Sequence, residues 1–175
     1  MDKANVLARV ESARAAFDRQ LVEVGETRME QPGVMGDWSV KDLLAHIMAY
    51  DRWTAAQLNA AREGREATSL EAFGVAELPP GADSDDLDTR NAALRDYYRD
   101  APLADIIAGA EHAFGLLVAA IQELDQSQLD DPGFLGWGED LTTTDCIAIQ
   151  SWDHYEDHEP QLRAWILRDE GLPNV

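Results

Sequence analysis

Apolar residues recur at steps of three and four over four stretches of the chain, and each stretch reads as an amphipathic helix. From Asp2 to about Val24 the stripe is Val6, Val10, Ala13, Phe17, Leu21 and Val24. Gln31-Pro32-Gly33 and Gly36 break it, and Trp38-Ser39-Val40-Lys41-Asp42 restarts it with a capping box, Ser39 at the N-cap and Asp42 three residues on. The second helix is expected from Val40 to about Glu63, with Val40, Leu43, Leu44, Ile47, Tyr50 and Trp53 on its apolar side. His46 lies at the inward edge of that side, one turn from both Leu43 and Tyr50.

The stretch Gly64 to Gly81 holds two prolines and weak periodicity, so it reads as a long connection with one short helical turn near Leu70 to Phe73. The run Asp83 to Asp88 starts a short helix reaching about Tyr98, because carboxylates favour the positive end of the helix dipole. It lacks the glycine and terminal glutamate of a calcium loop. After Pro102 the seam Leu103, Ile107, Ala110, Phe114, Leu117, Ile121 and Leu124 predicts the third long helix, with His112 flanking it. Thr142 and Asp145 form another capping box and begin the last helix, in which Pro160 is expected to force a kink near Glu156 to Glu159. Leu162, Trp165 and Ile166 continue its apolar face, and Gly171 with Pro173 supplies the stop. No strand pattern and no internal repeat is found, so residues 1–175 read as one all-α domain, a four-helix bundle with a long crossover connection.

Candidate chemistry centres on the last helix. His154 and His158 stand four residues apart, so on a helix both imidazoles share one face and can hold one cation, with a third ligand supplied from elsewhere. His46 is placed to be that ligand. A histidine pair at this spacing also suits surface or packing roles, so the pattern alone leaves both open. Asp42, one turn before His46, is the preferred carboxylate to orient it, in competition with its capping role. Tyr50, Trp53 and Trp165 are candidates for pocket walls or for ordinary core packing. Gln150, Ser151 and Gln161 share the face of the last two histidines and are candidates to orient a substrate. No serine or cysteine sits in an activated nucleophile motif.

Charge narrows the partners expected. With 14 basic against 34 acidic residues the formal charge is −20, which repels phosphate backbones and anionic lipid, so neither nucleic acid nor membrane is expected to bind. No window approaches the 18 apolar residues of a spanning helix. The N-terminus carries Asp2, Lys3, Arg9 and Glu11 and lacks a signal-peptide core, and the single Cys146 fits a reducing cytosol, so a cytoplasmic protein is expected. Asp145 and Ile147 offer nothing to activate that thiol.

Two segments carry a resemblance. Trp38 to Ile47, W-S-V-K-D-L-L-A-H-I, and His154 to Leu162, H-Y-E-D-H-E-P-Q-L, resemble the DinB-like superfamily, whose members place one metal-binding histidine on the second helix and two on the last. Residues Asn91 to Asp100 and the third long helix look most like the branch containing the DfsB and colibactin self-resistance proteins. The resemblance implies that His46, His154 and His158 are metal ligands. It also implies a thiol-dependent transferase or isomerase, or a hydrolase, acting on a small reactive molecule in detoxification or self-protection, and a homodimer. Zinc or nickel suits three imidazoles with one open position, and a low-molecular-weight thiol is the second cofactor expected. A binding protein that sequesters a small molecule without catalysis is the alternative.

Overall fold

The computed structural model describes residues 1–75, 77–138 and 140–169. Its four principal rods are α1 (Lys3–Val24), α2 (Val40–Arg62), α5 (Leu103–Gln122) and a last rod in two pieces, α7 (Thr143–Gln150) and α8 (Trp152–Asp169). Between α2 and α5 lie α3 (Ser69–Phe73) and α4 (Leu87–Tyr98), and α6 (Gln126–Asp130) follows α5. α1 packs along α8 and α2 along α5, with α1–α5 and α2–α8 contacts closing the bundle. Its core is continuous from Val6, Phe17 and Leu21 through Leu43, Ile47 and Leu58 to Leu117, Ile121, Leu162 and Ile166. The stop expected at Gly171 and Pro173 lies outside the described residues.

The capping signals act where the sequence places them. Ser39 Oγ accepts from the Asp42 backbone N–H at 3.1 Å and Asp42 Oδ2 accepts from the Ser39 N–H at 2.8 Å, which fixes the first turn of α2 and hence the height of His46 along it. Thr142 and Asp145 make the same reciprocal pair at α7.

Four features depart from the sequence reading. A two-stranded antiparallel hairpin, β1 (Pro32–Met35) and β2 (Trp38–Ser39), pairs Met35 with Trp38 and turns at Gly36, whose φ of 57° favours glycine. It is too short to show alternation. α5 buries Ile106, Ala110, Ala113, Leu117, Ala120 and Ile121, while Leu103, Ile107 and Phe114 are only half-buried. The reason is close approach: a Cβ on Gly109 would lie 2.6 Å from Met48 Sδ, so the small residues of α5 face α2 and the larger ones are displaced to the flank.

Third, α5 is long and apolar enough by length and composition to cross a membrane, the only such helix among the described residues, which corrects the reading that no stretch approaches that limit. Its packing along α2 is that of a bundle helix. Fourth, the last rod breaks at Ser151 (φ −128°, ψ −93°) and not beside Pro160, which sits inside a continuous α8. Ser151 Oγ donates to the Ile147 carbonyl at 2.6 Å, competing with the helix ladder at that point. Pro160 leaves free only the carbonyl of Glu156, an exposed residue that water can serve.

Candidate metal centre

α2 supplies His46 and α8 supplies His154 and His158, and the two helices bring the rings to one point. The ligand nitrogens of the three all lie within 4.8 Å of one another. His46 Nε2 and His154 Nε2 are 2.8 Å apart, and the ring centroids are separated by 4.8, 5.2 and 4.9 Å. A tetrahedral ion with bonds of 2.0–2.1 Å would set nitrogen pairs about 3.3 Å apart, so His46 and His154 would separate by about half an ångström and His158 would draw in from within 4.8 Å to hold one.

The electrostatics favour the form that binds metal. Burial pulls all three imidazoles below the ordinary histidine value: His46 well below, with the like charge of His154 and His158 adding to it; His154 to about 3, with His158 adding and the Gln150 carbonyl opposing; and His158, with Asp157 opposing. They are therefore neutral, unprotonated donors at physiological pH. Nδ1 of His46 and of His158 is buried without a hydrogen-bond partner in the protein, and His154 has only the nearby Gln150 carbonyl, outside good hydrogen-bond geometry at its buried Nδ1, so the donor set is complete but its outer support is sparse.

On one side the triad meets a cavity of about 330 Å³ lined by Met35, Trp38, His46, Asp88, Asn91, Ala92, Arg95, Asp96 and His158. Trp38 meets the His46 ring edge-on at 5.7 Å. Arg95 lies over Trp38 and is neutralised by Asp37, to which Nη1 donates twice at 3.0 Å, and by Asp42 at 3.5 Å. Tyr50 packs behind the lining, 4.8 Å from the His46 ring and 5.3 Å from His154, and its hydroxyl donates to Oδ1 of the lining residue Asn91 at 2.9 Å. Burial raises the Tyr50 hydroxyl, so it keeps its proton at neutral pH.

The other candidates fall elsewhere. The Asp42 carboxylate is occupied by the Ser39 cap and by Arg95 and gives nothing to His46. Trp53 stacks on Trp137 at 4.7 Å and reaches the triad only through Tyr50. Trp165 packs against the hairpin, its Nε1 donating to the Pro32 carbonyl at 3.4 Å. Ser151, at the break, is buried with its hydroxyl on the Ile147 carbonyl, Gln150 before it is half-buried, Gln161 on α8 itself is exposed, and none of the three lines the cavity. The lining from α4 was missed although its signal was present. Asp88, Asn91, Ala92, Arg95 and Asp96 recur at helical spacing and mark one polar face of a short helix.

Comparison with known proteins agrees with this architecture. A family model described as "Mycothiol maleylpyruvate isomerase N-terminal domain" matches residues 10–154, which include His46 and His154. Among solved structures, colibactin self-resistance protein ClbS in complex with a dsDNA is similar with a TM-score of 0.72 at 15% identity, covering 93% of each chain. An uncharacterised protein from Escherichia coli UTI89 gives 0.75 at 14%, covering 99% of this chain and 96% of that one. A protein from Streptococcus pneumoniae gives 0.67 at 14%, covering 94% and 90%. No curated protein matches by sequence. The ClbS complex corrects the exclusion of nucleic acid made from net charge. Formal charge is a sum over the whole surface, whereas phosphates are met by local groups, so −20 does not decide the matter.

Proposed function

From the premise that this chain belongs to the mycothiol maleylpyruvate isomerase N-terminal domain family, within the DinB-like superfamily, we propose that it is a metal-dependent enzyme that detoxifies a small reactive molecule. The observation that carries the reading is the meeting of three neutral imidazoles, His46 buried and His154 and His158 half-buried, where His46 and His158 line a cavity of about 330 Å³. His46, His154 and His158 would hold a divalent ion, zinc or nickel. Such an ion supplies an open position at which water or a thiol becomes a nucleophile at neutral pH.

The remaining work falls to the chain's own residues. Trp38 and Met35 give the cavity an apolar wall that excludes water from one side of a substrate, and Asn91 offers an amide to orient it. Tyr50, beside His46 and His154, holds a proton at its hydroxyl and donates it to the lining residue Asn91, through which it can polarise or protonate a leaving group. A nucleophilic thiol has to come from outside the protein. Cys146 is buried, and burial, then the charge of Asp145, pushes its thiol further up.

The test is turnover of a panel of electrophiles (an epoxide, an activated ester and an α,β-unsaturated carbonyl compound) by zinc-loaded protein, with and without a low-molecular-weight thiol. Chelation abolishes turnover, and Tyr50→Phe lowers it by about 100-fold with bound metal unchanged. A thiol requirement selects transfer or isomerisation, and its absence selects hydrolysis. Metal-free protein that retains full ligand affinity, with no turnover by either form, would replace catalysis with sequestration.

A further inference from the structure

In metal sites the ligating imidazole ordinarily donates its second nitrogen to a carboxylate, a carbonyl or water, and that bond fixes the ring. Nδ1 of His46 and of His158 has no such protein partner, and at His154 only the Gln150 carbonyl of the preceding turn acts on the ring, without forming a well-aligned hydrogen bond at Nδ1. What orients them therefore acts through the helices that carry them. Tyr155 follows His154 on α8 and is 1% exposed, buried in the core. Its hydroxyl donates to Asp51 Oδ1 at 2.5 Å. Asp51, fully buried, follows Tyr50 on α2, and its second oxygen accepts from Arg14 Nη1 of α1 at 3.1 Å. Arg14 Nε in turn donates to Asp18 at 2.8 Å.

One carboxylate thus ties three of the four rods together beside the triad. Among the described residues, the only other side-chain hydrogen bond between α2 and α8 is the contact of His46 with His154 itself. Packing does not demand the arrangement, because burying an ion pair costs about as much as its attraction returns and apolar residues of the same size would serve. What a short, directional bond adds is axial placement. Bond lengths to a metal tolerate only about 0.2 Å, whereas one residue of slippage along a helix is about 1.5 Å.

We propose that Tyr155, Asp51 and Arg14 are positioning residues that hold α8 against α2 at the height where His46 and His154 close on one ion, and so set the affinity and geometry of the site. This rests on the metal-centre reading above. It predicts that loosening the bond degrades the site without removing any ligand.

The experiment is a cobalt(II) titration of untagged, metal-free protein, because visible ligand-field bands of cobalt report coordination geometry, which a loss of global stability does not alter. Four chains are compared: wild type, Tyr155→Phe, Asp51→Asn and the control Leu129→Ala, which deletes a fully buried side chain on α6 away from the triad. Tyr155→Phe and Asp51→Asn should weaken cobalt binding by about 10-fold to 100-fold and shift the bands. Leu129→Ala should lower the melting temperature and leave affinity and bands as in wild type. Asp51→Asn keeps the side chain's size but has one accepting oxygen where the carboxylate has two, so it cannot serve both Tyr155 and Arg14, and it carries the same prediction if Tyr155→Phe does not fold. Wild-type affinity and bands in both variants would overturn the proposal, as would a control that weakens binding as much as they do. Wild type that takes up no cobalt would overturn the metal-centre reading itself, a separate outcome.

Discussion

Replacing His46, His154 or His158 with alanine removes bound metal and leaves the helices standing. Two imidazoles hold a divalent ion far more weakly than three, and a loss of at least about 1000-fold, roughly 4 kcal/mol, takes the site below ordinary working concentrations. The fold survives because the core that joins the rods, from Val6 and Phe17 to Leu117 and Ile121, is built from other residues. His112, exposed on α5, lies outside the triad, and His112→Ala changes neither metal nor fold. Bound metal and far-ultraviolet circular dichroism of the four variants check this. Full metal content in the His46 variant would contradict it.

Acid unfolds the metal-free protein for a reason built into the same site. Burial depresses all three imidazoles, His154 to about 3, so below pH 6.5 the unfolded chain takes up protons that the folded chain refuses. Stability is present above 6.5 and is lost as pH falls toward the folded values, by up to about 1.4 kcal/mol per pH unit for each histidine. Asp51 works against this. Burial, opposed by Arg14 and by the Tyr155 hydroxyl, pushes its carboxyl from 3.8 up to about 7, so in that window the folded chain holds a proton that the unfolded chain has released. One histidine is thereby offset and two remain, which gives a net slope of up to roughly 3 kcal/mol per pH unit between about pH 6 and 5. Urea midpoints of chelator-treated protein at pH 7, 6 and 5 should fall steeply, and those of His154→Ala less so. Equal midpoints would contradict the burial of the triad.

The same depression moves the acid limit of metal binding. Unperturbed imidazoles would release an ion through roughly pH 5 to 6. Rings that already resist protonation compete less for the metal, so occupancy should hold through pH 5.

The parts of the molecule that were legible in the sequence are those set by short-range rules. Ser39 with Asp42 and Thr142 with Asp145 mark helix starts because the capping bonds are local, and the stripe of α1 is the buried stripe observed. The inward-edge position of His46 and the four-residue spacing of His154 and His158 were visible for the same reason. What was not legible depended on contacts between elements. The seam of α5 keeps Ala110, Leu117, Ile121 and Leu124 as expected but widens to Ile106, Ala113 and Ala120 at the expense of Ile107 and Phe114, because Gly109 lets Met48 approach, a fact of α2 that the α5 pattern does not contain. The break at Ser151 overrides the stronger local signal of Pro160. Gln150 and Ser151 do not line the cavity, while Trp38, Asn91 and Arg95, from a hairpin and a short helix, do. Asp51 and Tyr155 are ordinary letters in the sequence. Their bond exists only once α2 and α8 are side by side.

Metal content by elemental analysis of untagged wild-type protein, purified without added metal or chelator, tests the central claim most directly. One divalent ion per chain, falling to none in His154→Ala, is the result expected from three converging imidazoles. Wild-type protein that carries no metal and takes none up from zinc or nickel at neutral pH would contradict it.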